Sequence, residues 1–119
     1  MFEQQENQGH IVGKQDNPSG GSELGAVIEM QCFPLYSYLV ALNITKVDYF
    51  SLDVEGAEFT ILQTIPWDKV DIQTLSVEFI HDHVGKQVIQ DYMSERGYYV
   101  HSEVTHVNWL ANDFIFVKK

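Results

Sequence analysis

The stretch VDYFSLDVEGAE, residues 47–58, decides how the rest of the chain is read. Its first half is almost wholly apolar, and its second half carries Asp53, Glu55 and Glu58 around Gly56. A run interrupted only by Asp48 and Ser51 suits a parallel strand over residues 47–54, covered by helices on both faces. Gly56 lets the chain turn sharply after it. Phe59, Leu62 and Ile65, three apart, predict a short helix over residues 57–65, stopped by Pro66. The acids therefore fall between the carboxyl end of a strand and the start of a helix. The partial positive charge of a helix N-terminus stabilises such carboxylates by about 0.3–1 kcal/mol each. Glu58 is accounted for in that way, as a first-turn charge. Asp53 is not, because it falls on backbone that is still extended. In open α/β sheets ligands bind beyond the carboxyl ends of the strands, and Asp53 stands at that mouth.

Working outward, residues 26–32 read as a short strand. Pro34 suits the first turn of a helix, and Leu35, Tyr38, Leu39 and Leu42 give it an apolar stripe that Asn43 can end. Downstream, residues 72–80 form a second strand that is apolar on both faces. Residues 85–96 are helical, with Val88, Ile89, Tyr92 and Met93 on one side and Gly97 as terminator. Residues 98–104 and 113–118 are two further strands, joined by a segment with no helical pattern and so expected to pair antiparallel. Strands alternating with helices predict an α/β fold whose sheet is mostly parallel, with an antiparallel C-terminal strand pair. Residues 1–25 are polar and irregular, with a weak strand near Ile11 and Val12 and a turn signal at 17–22; the folded domain spans 26–119.

The second strand repeats the pattern of the first. Glu78 lies near its carboxyl end, where a carboxylate in an apolar run is costly without a partner. If the two strands are neighbours, Asp53 and Glu78 face one edge of the sheet. With His81 and His83 they could then form a divalent metal site of mixed ligands. The spacing matches no established metal signature. A polar loop with solvated histidines is the plainer reading, and no metal is assigned.

Composition narrows the partners. Seven basic residues against seventeen acidic give a formal net charge of -10 over 119 residues. A surface this acidic disfavours nucleic acid, whose phosphates require clustered lysine and arginine. No apolar run reaches the roughly 20 residues of a membrane span. The lone Cys32 excludes an internal disulfide and reads as a small buried apolar residue.

The residues then become familiar. DYFSLDVEGAEFTILQTIPW, residues 48–67, resembles the FkbM family of S-adenosylmethionine-dependent methyltransferases, whose members carry a D-V-E-G-A-E segment before an apolar helix. Leu75, Ser76, Val77 and Glu78 fit the continuation, as do Arg96, Gly97 and Tyr98, the run at 112–116 and, upstream, residues 30–35. The form is most similar to the animal Star-like branch, and the resemblance spans residues 20–118. It implies part of a Rossmann-like class I methyltransferase fold, namely its C-terminal half. It also implies S-adenosylmethionine as cofactor and methyl transfer to an oxygen, such as a sugar hydroxyl. Asp53 is then the first choice for the base or for positioning the acceptor, followed by Glu55 and Glu78.

The family's glycine-rich cofactor turn and the acid that binds the ribose are not found here. Cofactor-binding residues are therefore unassigned, and the chain alone is expected to be a fragment with little activity. In the full fold the 47–54 strand is internal. Here it becomes an edge, where self-association is expected. The alternative is a Star-like binding or trafficking module with the same fold and no chemistry. No compartment is read from the sequence.

Overall fold

The computed structural model describes residues 2–5, 8–11, 27–28, 30–107 and 112–119. Two compact units divide the chain, residues 1–32 and 33–119. In the first, β1 (Phe2–Gln5) and β2 (Gln8–Ile11) pair antiparallel, with Phe2 opposite Ile11. β3 (Val27–Ile28) pairs antiparallel with the other edge of β1, giving the order β2-β1-β3. Paired backbone thus runs through a segment whose polar composition gave only a weak strand at Ile11. Val12 and the turn expected at 17–22 lie outside the described residues. The strand expected over 26–32 is two residues long. Cys32 lies beyond it and is exposed, which corrects the buried position expected from its apolar neighbours.

The second unit holds three helices and a four-stranded sheet. Helix α1 (Leu35–Ala41) starts directly after Pro34, whose φ of -56° and ψ of 144° make it the cap. It ends as its sequence predicts. Asn43 takes φ 54°, the Asn43 N–H donates to the Val40 carbonyl and the Ile44 N–H to the Leu39 carbonyl. That pair of bonds is a left-handed C-terminal cap with asparagine in glycine's place.

Strand β4 (Lys46–Leu52) follows, then α2 (Glu58–Thr64). The helix stops because Pro66 has no N–H to give the Leu62 carbonyl. Three other donors serve that carbonyl: the Ile65 N–H, the Trp67 indole N–H at 3.2 Å and the Tyr92 hydroxyl at 3.1 Å. A helix stop thereby becomes an anchor for two aromatic rings.

Strand β5 (Asp71–Glu78), α3 (Lys86–Glu95), β6 (Tyr98–Thr105) and β7 (Asn112–Lys118) complete the unit. The strand order is β4-β5-β7-β6. β4 runs parallel to β5, and β7 lies antiparallel between β5 and β6. Three strands therefore share one direction and β7 opposes them. This open α/β sheet is compatible with part of a Rossmann-like fold.

The core gathers around β5 and β7. Ile72, Leu75, Val77, Phe114 and Phe116 are buried, and Leu62, Ile89, Met93 and Tyr98 pack with them. The buried Tyr98 hydroxyl donates to the Ile72 carbonyl. Burial and the nearby Asp71 push its phenol up to about 12. The edge strand β4 differs: it buries only Leu52, with Val47 and Phe50 half-buried. Both of its faces are apolar in sequence, yet cover on both sides is not what the described residues provide.

Candidate active site

Parallel pairing brings the carboxyl ends of β4 and β5 side by side, with Leu52 opposite Val77. The next residues along each strand are Asp53 and Glu78, so both acids reach the same rim of the sheet. Between β4 and α2 the chain takes an unusual path. Glu55 has φ 55° and Gly56 φ 106°, both in the left-handed region. That region costs a non-glycine residue of order 1 kcal/mol or more. At Gly56 a side chain is excluded twice over, by the φ and because a Cβ would lie 2.9 Å from the His81 carbonyl oxygen. The loop after β4 is thus pressed against the loop after β5.

Glu58 holds this loop in shape. Its side chain is fully buried and turns back over the turn it follows. The Val54 N–H donates to its Oε1 at 2.7 Å and the Gly56 N–H to its Oε2 at 3.0 Å. The first-turn charge expected here is present, but it satisfies the loop's N–H groups rather than those of its own helix. The helix N-terminus is capped from the other strand. Asp82 Oδ2 accepts the Phe59 N–H at 2.7 Å, while its Oδ1 accepts the Val84 N–H at 3.0 Å. Asp82 had no role in the sequence reading. A cap donated across 23 residues leaves no local spacing by which to find it.

Glu78 is 5 % exposed. Its Oε1 accepts the Ile80 N–H at 3.0 Å and lies 3.1 Å from His81 Nδ1. Its Oε2 is buried with no hydrogen-bonding partner among the described residues. Burial holds the carboxyl above the usual range; the Ile80 N–H and His81 pull it down, and Glu58 and Asp53 push it up again. His81 Nδ1 also stands 3.1 Å from Glu55 Oε2, so one imidazole joins the two loops. Asp53 is exposed. Carboxylate oxygens of Asp53, Glu58 and Glu78 all lie within 4.8 Å of one another. His83, considered beside His81 as a ligand, makes no hydrogen bond or ion pair with a described residue.

The rim therefore collects Asp53, Glu55 and Glu78, the three acids singled out from sequence, together with Glu58 and His81. It offers an exposed carboxylate able to take a proton and, beside it, a buried one with a spare acceptor atom. Lys86, which follows Glu78 in the chain, does not neutralise them, since it pairs with Glu103 and lies over the Phe79 and Phe114 rings.

No curated protein and no solved structure matches the chain. The Methyltransferase FkbM domain family does, over residues 2–100. The match reaches back through β1 and β2 and takes in the whole of the acidic loop and β5. Together with the motif at residues 53–58 and the α/β sheet that presents it, this places the chain in the FkbM methyltransferase family.

Proposed function

We propose that the domain transfers a methyl group from S-adenosylmethionine to an oxygen of a small hydroxyl-bearing acceptor such as a sugar. The rim at Asp53, Glu55 and Glu78 would serve as the acceptor side of the site. The observation that carries the reading is the convergence of these acids, from two parallel strands, on one edge of a sheet that belongs to a methyltransferase family. S-adenosylmethionine supplies an electrophilic methyl carbon on a positively charged sulfur. An acidic rim suits a positively charged donor beside the acceptor, while the residues that would hold the ribose and the rest of the cofactor are unassigned in this chain.

The chain's own part is to orient the acceptor and take its proton. Asp53 is exposed and stands beside Glu58 and Glu78, so it is the group an incoming hydroxyl can reach. With the donor bound, the Asp53 carboxylate would take the proton that the acceptor hydroxyl gives up on methylation. Glu55 is fixed through His81, and Glu78 stands buried behind Asp53. Holding the reacting atoms in line is the larger contribution expected of such a site.

Melting the chain with millimolar S-adenosylmethionine tests the donor, because a ligand selective for the native state raises the melting temperature. The expected result is a saturable rise. No rise would remove the enzyme reading for this chain and leave the alternative of a non-catalytic binding module. Transfer of a labelled methyl group to a panel of sugars, in a full-length relative that carries the cofactor turn, tests the acceptor. There Asp53→Asn should cut turnover by about 10²-fold or more while leaving the melting temperature near that of wild type.

A further inference from the structure

We propose that Asp53, Glu58 and Glu78 bind one hard divalent cation of the calcium, magnesium or manganese kind. Three carboxylate oxygens within 4.8 Å of one another fit around such an ion. Ligands on opposite sides of a calcium ion at about 2.4 Å each stand about 4.8 Å apart, and neighbouring ligands stand closer. An acidic cluster alone would not carry the inference. The independent observation is Glu78, whose side chain is 6 % exposed and whose Oε2 is buried with no hydrogen-bonding partner among the described residues. Its other oxygen is already committed to the Ile80 N–H and to His81. A buried carboxylate oxygen left without a donor is costly, and a cation coordinated by the three acids would satisfy it.

Glu58 is held for the same task. Its two backbone donors fix both oxygens in place and leave each a further lone pair. Asp53, exposed, would close the site from solvent and leave the ion's remaining positions open to water or to an acceptor hydroxyl. An all-oxygen donor set selects hard cations over zinc or copper. The ligand set also departs from the sequence expectation, with Glu58 standing where His81 and His83 had been considered. This proposal does not depend on methyl transfer, and binding is read with the metal alone.

The test is a titration of the full chain with MnCl2, followed by the loss of the free-ion electron-paramagnetic signal and by thermal melting, with CaCl2 as competitor. Wild type should bind one ion per chain and melt at a higher temperature when loaded, and calcium should displace the manganese. Asp53→Asn and Glu78→Gln should each weaken binding at least tenfold. Glu95→Gln, at a side chain 77 % exposed and away from the rim, should leave it unchanged. Equal manganese uptake by wild type and both rim variants, or an equal loss in Glu95→Gln, would overturn the proposal and leave only diffuse attraction to a chain of net charge -10.

Discussion

Strands β4 and β5 lie side by side, run in the same direction and end in acids, yet they live in different surroundings. β5 buries Ile72, Leu75, Ser76, Val77 and Glu78, whereas β4 buries Leu52 alone and leaves Tyr49 59 % exposed. The acids follow their strands: Glu78 is buried with an unsatisfied oxygen, and Asp53 is open to solvent. Similar sequence patterns thus end in unlike groups, one hard to ionise and one easy to reach. A site that must both hold and exchange protons can use that difference. The sheet's other edge sharpens the lesson. β6 carries His101, Ser102 and Glu103 outward and a register shift between Val100 and Ser102, both of which discourage pairing with another chain. β4 has only Lys46 and Asp48 as charges to do so.

The largest effect that could break the comparison is on stability. Leu75→Ala, in the fully buried strand, should cost about 2–5 kcal/mol. Val47→Ala, half-buried on the edge strand, should cost about 1 kcal/mol or less. Urea denaturation measures both, and equal losses would show that β4 is as well packed as β5. Next comes the contact between the two loops. Gly56→Ala forces a side chain into φ 106° and against the His81 carbonyl, and should cost about 1–3 kcal/mol by the same measurement.

A smaller, pH-dependent effect separates the two acids. Burial raises the Glu78 carboxyl in the folded state above its ordinary 4.5. Its contribution to stability is therefore full below that value and is lost as pH rises through the folded pKa. In cation-free buffer, Glu78→Gln should then melt a few degrees above wild type at neutral pH and equal to it in acid. Asp53→Asn should shift melting little at either pH. The smallest effect is at the edge. If β4 pairs with a second copy, sedimentation should show concentration-dependent association, weakened by Tyr49→Lys and untouched by Tyr99→Lys on β6.

Much of this arrangement was legible in the sequence where the signal is local. Pro34, Asn43, Pro66 and Gly97 each mark a helix boundary because each changes what the backbone can do at one position. Asp53 and Glu78 could be placed on one rim because a parallel pairing follows from apolar runs joined by a helix. What stayed hidden depends on distant residues. Glu58 turning inward needs the left-handed path of Glu55 and Gly56, and Asp82 capping α2 needs the β5 loop to be folded against it. The burial of β4 was the hardest to read, since an apolar strand states what it would bury and not what is there to cover it. Of the hairpin of β1 and β2 only a weak strand near Ile11 could be read, because its residues are polar and alternate too weakly to register more.

The most direct test of the central claim, that the acids ending β4 and β5 form one site, is a carboxyl-carbon NMR titration of Glu78 in cation-free buffer. Glu78 should titrate above an ordinary glutamate in wild type and lower in Asp53→Asn, where a neighbouring negative charge has gone. An ordinary titration that ignores the loss of Asp53 would mean that the two strand ends do not share a site.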